Sequence, residues 1–100
     1  MSKSYFKMSD YKFIDFYKSD DTKKKYYALI ENRDNPKDKQ KIYFGSSNFE
    51  HFSDTTGKGY WSKFDHNDEK RRKSYIARHK GFIKPGYYSS GWFSMNFLWR

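Results

Sequence analysis

The sequence predicts an α+β fold: a small antiparallel three-stranded meander, followed by a basic helix and an aromatic C-terminal segment or short helix. Three observations predict it. Three short runs of alternating aromatic and polar residues lie before residue 46, separated by turn chemistry. The stretch 68–80 carries the cap, charge and stop signals of a helix. Residues 92–99 bring Trp, Phe, Met and Leu together at a spacing that suits one more helical turn or two.

The first run, 11–18 (Tyr-Lys-Phe-Ile-Asp-Phe-Tyr-Lys), reads as a strand with Tyr11, Phe13, Asp15 and Tyr17 on one face and Lys12, Ile14, Phe16 and Lys18 on the other. Residues 19–23 (Ser-Asp-Asp-Thr-Lys) form a turn. A second strand follows at 24–31, then a polar loop to Gln40 whose Asn35-Pro36 cannot continue a central strand. A third strand, 41–44, stops at Gly45. Short links between consecutive strands favour a meander. Residues 48–52 suit a helical turn, Gly57-Lys58-Gly59 a loop, and Lys84-Pro85-Gly86 a turn. Asn67 or Asp65 is placed to cap the helix, and Gly81 to stop it. In the C-terminal segment Trp92, Met95, Asn96 and Trp99 would share a face. The whole chain, 1–100, then reads as a single domain: an arm at 1–10, the meander at 11–45, a loop region at 46–66, the basic helix at 67–81 and the aromatic segment at 82–100.

Composition narrows the function. Twenty-one Lys and Arg against 12 Asp and Glu give a net charge of +9, which favours anionic surfaces. Aliphatic residues are scarce, but ten Tyr, ten Phe and three Trp supply the area a core needs. A domain of this size cannot bury all of them, and exposed rings beside Lys or Arg suit an interface or a stacking platform. The absence of Cys excludes a disulfide framework and a Cys-ligated zinc site. The N-terminal residues lack the apolar core of a signal peptide, and no run approaches the ~18 apolar residues of a membrane span. The expectation is a protein kept inside a cell, not secreted by a signal peptide.

Lys70-Arg71-Arg72-Lys73 is the densest charge in the chain. At about 100° per residue, Arg72, Tyr75, Ile76 and His79 fall in one sector, with Asp68 at its edge. The other faces carry Lys70, Lys73, Ser74, Ala77 and Arg78. The outward face is therefore basic, and the inward face is only half apolar. Asp68 and Arg72 stand i,i+4 and can pair. The basic run admits two readings, a face that tracks phosphates and an ordinary solvated face. The residues expected to meet an anionic partner are Lys70, Arg71, Lys73, Arg78 and Lys80.

His66, Asp68, Arg72 and His79 form a polar cluster that invites an enzymatic or metal-binding reading. Their spacing matches no zinc or nucleophile motif, and capping explains His66-Asn67-Asp68 more simply. The cluster is expected to be structural. Gly57-Lys58-Gly59 lacks the strand–loop–helix setting of a phosphate cradle. No catalytic residue, metal ligand or cofactor is expected, and the chain reads as a non-enzymatic binding protein.

Three segments carry a resemblance: 41–45 (Lys-Ile-Tyr-Phe-Gly); 66–80, from His66-Asn-Asp through Arg78-His79-Lys80; and Gly91-Trp-Phe-Ser94 with Leu98-Trp99. Together they resemble a family of small basic proteins encoded by nucleocytoplasmic large DNA viruses, the giant viruses of algae and protists. The likeness spans roughly residues 24–99, with the helix motif its specific part. The loop at 57–63 and the stretch 84–88 depart from the pattern. The family has no assigned activity, so the resemblance implies a viral origin and a place in the virion and host cell interior, but no mechanism. The function expected first is that of a basic structural protein, a minor virion or capsid component seated on acidic capsid proteins. The alternative is a nucleic-acid-binding protein using the basic helix and exposed aromatics.

Overall fold

The computed structural model describes residues 5–100; the start of the expected N-terminal arm, 1–4, lies outside the described residues. The elements run β1 (Phe6–Lys7), β2 (Tyr11–Lys18), β3 (Lys24–Asn32), β4 (Lys39–Ser46), α1 (Glu69–His79), β5 (Tyr87–Tyr88) and α2 (Ser90–Phe97). β2, β3 and β4 form the antiparallel meander, in that order. β1 pairs with β5 as a separate two-stranded ribbon, which ties the remainder of the arm to the far end of the chain. The fold is α+β, as the periodicity predicts. β4 is longer than the four residues expected: Lys39 and Gln40, at the end of the expected loop, pair with Glu31 and Ile30, and Gly45 continues the strand at φ 77° instead of ending it.

The strict alternation expected for β2 does not hold. Phe13 pairs with Ile30 and Asp15 with Leu29, so Ile14 is left out of the ladder as a bulge. The bulge flips the parity. Tyr11 and Phe16 both turn inward and are buried, while Ile14 is 41% exposed. A plain strand would have put these two rings on opposite faces.

The core lies between the inner sheet face and α2. Tyr26, Ala28 and Ile30 of β3 and Ile42 and Phe44 of β4 face Phe93 and Leu98. Phe93 stacks on Phe44 at 5.6 Å, and Phe16 meets Phe97 edge-on at 4.7 Å. Rings thus occupy the places that aliphatic side chains usually fill, each burying a large area. The C-terminal helix forms, but not with the expected face. Phe93, Ser94 and Leu98 are buried, whereas Trp92, Met95, Asn96 and Trp99 are half-buried at its flanks. The start at Ser90, with Ser89 Oγ accepting from the Trp92 amide at 3.2 Å, sets that phase.

The helical turn expected at 48–52 is absent. The Phe49 carbonyl accepts from Lys25 Nζ at 2.6 Å and the His51 amide donates to the Phe64 carbonyl at 3.1 Å, so both groups are engaged outside any local turn. α1 is capped by Asp68, not by Asn67 or Asp65: the Asp68 carboxylate accepts from the Lys70 and Arg71 amides at 3.0 and 3.3 Å. Asn67 takes a left-handed conformation just before it, and Asp65 is turned to His51 instead. At the other end α1 tightens into a short 3-10 turn, Lys80–Phe82, which runs through Gly81. Among the described residues no helix is long and apolar enough to cross a membrane.

Candidate anion-binding cleft

α1 leans across the end of the sheet and leaves a cleft of about 1040 Å³ between itself, the first residues of β3, the last of β4, the loop after β4, and α2. Five cations line it: Lys24 and Lys25 from β3, and Lys70, Arg71 and Arg78 from α1. Among the described residues Glu50 is the single carboxylate on its wall. Positive groups converging on a concave surface focus the field and raise the local concentration of anions. Glu50 pairs with Arg71 at 3.0 Å, but both side chains are about half exposed, so the pair contributes little to stability and yields readily to a competing anion. Phe49 stands at this wall 70% exposed.

α1 buries none of its residues fully, so its position depends on stacking. Tyr75 lies parallel to Trp99, with centroids 4.0 Å apart and 3° between planes, and its hydroxyl meets Ser94 Oγ at 3.1 Å. His79 stacks on the same tyrosine at 4.2 Å. Burial pushes the Tyr75 hydroxyl above the usual phenol range. The column His79–Tyr75–Trp99 holds the helix at the distance that keeps the cleft open.

The wall beneath Phe49 is built on a buried polar chain. Lys25 and His51 are 2% and 1% exposed. Lys25 Nζ donates to the Phe49 carbonyl and, at 2.9 Å, to His51 Nδ1; the ammonium also sits 5.2 Å from the Phe64 ring centroid. Because His51 Nδ1 accepts, its ring is neutral with the proton on Nε2, which donates to Asp65 at 2.5 Å. Burial brings Lys25 down to about 8, partly offset by Asp54, Asp65 and Glu50. Burial, then the Lys25 charge, pushes His51 below the ordinary histidine value, against the pull of Asp65. Next to this chain the Tyr26 hydroxyl donates to Asp54, and Asp65 Oδ1 also accepts from the Asp54 amide at 2.8 Å. Burial would raise Asp54, but bonds from Thr56, Tyr26 and the Trp61 amide outweigh it and hold it low. With its donors engaged, Lys25 acts as a clamp that adds charge to the cleft.

The structure separates the residues singled out in the sequence. Lys70, Arg71 and Arg78 line the cleft; Lys73 and Lys80 are exposed and do not line it. His66, Asp68, Arg72 and His79 do not form one network. Asp68 caps α1; His66 Nδ1 accepts from the Asp68 amide at 2.9 Å; Arg72 lies over the Phe52 ring at 5.5 Å; His79 joins the stack above. The expected Asp68–Arg72 pair is replaced by Arg72–Glu69 at 2.8 Å, because capping occupies Asp68. His66 Nε2 and Arg72 Nε are buried without a hydrogen bond among the described residues. Lys24, Lys25, Phe49, Glu50 and His51 escape a reading by sequence alone, since they meet α1 only through the path of a long loop. Among the described residues no group of three or more His, Cys, Asp or Glu is placed to hold a metal ion.

Comparison with protein-family models, curated proteins and solved structures finds no match, so the viral resemblance of the helix motif gains no support from them.

Proposed function

We propose that this chain is a non-catalytic binding domain and that its ligand is nucleic acid held in the basic cleft. The observation that carries the reading is the convergence of Lys24, Lys70, Arg71 and Arg78 on one concave wall beside the exposed Phe49. Cations matched to phosphates give affinity, and a free ring beside them offers a surface for a base. A flat acidic protein surface would be met better by a convex basic face than by a cleft with aromatic lining.

The test is fluorescence anisotropy of a labelled mixed-sequence strand at a series of salt concentrations. With about four phosphates neutralised, log K should fall with log[salt] at a slope of roughly −3 for a single strand. Absence of binding to DNA and RNA at low salt would overturn the reading.

A second reading, a minor structural component of a giant-virus particle seated on acidic capsid proteins, has one structural support. Phe13, Ile14 and Tyr17 on the edge strand β2 are 36%, 41% and 40% exposed, which suits packing inside an assembly. Mass spectrometry of purified virions, with copy number counted, tests it; trace amounts or absence would reject it.

A further inference from the structure

The meander has a second face. Tyr17 of β2 pairs with Tyr27 of β3, and Tyr27 with Tyr43 of β4, so three tyrosines form a row straight across the sheet. Their centroids are 5.3 and 5.5 Å apart. The row lies on the side of the sheet opposite Tyr26, Ala28 and Phe44, and so is turned away from the core. Tyr17 ends it at the sheet edge, 40% exposed. Lys41 Nζ sits 4.9 Å from the Tyr27 centroid. Four lysines share this face with three carboxylates: Glu31 is held by Lys12 and Lys39, Asp15 by Lys58, and Asp20 by Lys41. These four lysines and three carboxylates leave one positive charge in excess, so the face does not repel a phosphate chain.

The row and the cleft draw on the same two strands, β3 and β4, from opposite faces of the sheet. Lys25 and Gly45 line the cleft, and each stands two residues along its strand from Tyr27 and Tyr43. At the rise of a strand that is roughly 7 Å, within reach of neighbouring nucleotides of one chain. Resting on the nucleic-acid reading of the cleft, we infer that the ligand is single-stranded and passes from the cleft onto the tyrosine row, where its bases stack. A duplex does not meet this demand, because its base faces are already buried in its own stack. Sequence preference should be weak, since every base has a face to stack.

The experiment compares the wild-type chain with Tyr17→Ala, Tyr27→Ala and Tyr17→Leu, using a mixed-sequence strand of about 12 nucleotides, long enough to span cleft and row, and the matching duplex as probes. Thermal melts identify any variant that fails to fold, and Tyr17→Leu keeps apolar volume at an exposed site without the ring. Each substitution should weaken single-strand binding by about 5–10-fold, with the salt slope and duplex affinity unchanged. Ultraviolet cross-linking of a bromouracil-bearing strand to the wild-type chain should label peptides holding Tyr17, Tyr27 or Tyr43. Unchanged single-strand affinity in the tyrosine variants, with Arg78→Ala still weakening it, would overturn the inference and leave the cleft reading intact. Equal weakening of strand and duplex, or cross-links confined to α1, would also overturn it. A wild-type chain that binds no nucleic acid would reject the cleft reading itself.

Discussion

Lys25 Nζ donates to His51 Nδ1 across 2.9 Å at a site where neither residue is more than 2% exposed. A cation and a titratable ring in contact inside the wall of a basic cleft are stable only while the ring stays neutral. Protonating His51 would remove the acceptor and set two positive charges side by side. Asp65 on the far nitrogen favours the proton, but burial and Lys25 prevail.

That balance fixes a pH dependence. His51 and His66 both titrate below the ordinary histidine value when folded, His66 through burial and then the Arg71 charge. As pH falls below about 6.5, the unfolded chain takes up protons that the folded chain refuses, so stability should drop until the folded-state values are passed. Melting temperatures measured from pH 7.5 to 5 should decline, and His51→Gln should flatten that decline. An equally steep decline in the variant would show that His51 does not carry it.

On the alkaline side the signs oppose each other. Lys25 is lowered to about 8 by burial, so stability should rise as the folded-state ammonium is neutralised between that value and the ordinary lysine value of 10.5. Tyr26, raised by burial and then Asp54, and Tyr43, raised by its bond to Asp20, stay protonated to about 12 when folded, so their contribution is lost above pH 10. Among these groups stability should rise from pH 8 to a maximum near pH 10 and fall beyond it, to be read from urea midpoints.

Substitution at Lys25 separates packing from polar pairing. Lys25→Ala leaves the Phe49 carbonyl and His51 Nδ1 without their donor and opens a void, at a cost of about 3 kcal/mol. Lys25→Met loses the same donor and charge but fills the void, and should cost about 2 kcal/mol less. Urea denaturation checks both; equal costs would mean that packing matters little at this site.

Trp99 supports the cleft from the other side. Trp99→Ala removes the ring that Tyr75 lies on and should cost about 3 kcal/mol, while Trp99→Phe keeps a stacking face and should cost less than half of that. An unchanged melting temperature in Trp99→Ala would show that the stack does not hold α1.

Much of the fold is legible in the chain because it rests on local chemistry. The strands at 11–18 and 24–31 announce themselves by alternation, and the helix by acids at its start and a basic run. The bulge at Ile14 is not legible, since nothing in Tyr-Lys-Phe-Ile-Asp-Phe says which residue will leave the ladder; burial of both Tyr11 and Phe16 decides it. The cap is legible as a string of candidates but not as Asp68, because Asp65 is claimed by His51 from a distant turn. The same holds for the cleft. Lys70, Arg71 and Arg78 stand out as charge on a helix, but their partners Lys24 and Lys25 look like ordinary strand residues until tertiary packing brings them opposite.

Placement also separates lysines and arginines that composition treats alike. The cleft, and not the bulk charge of +9, is the claim that matters most. Titration of a labelled single strand with charge-matched variants tests it most directly: Arg78→Ala and Lys70→Ala in the cleft, Lys73→Ala and Lys80→Ala outside it. Each cleft variant should weaken binding several-fold and lower the magnitude of the salt slope by about 0.7, while the outside variants change little. Equal losses from all four, or no binding by the wild-type chain at low salt, would contradict it.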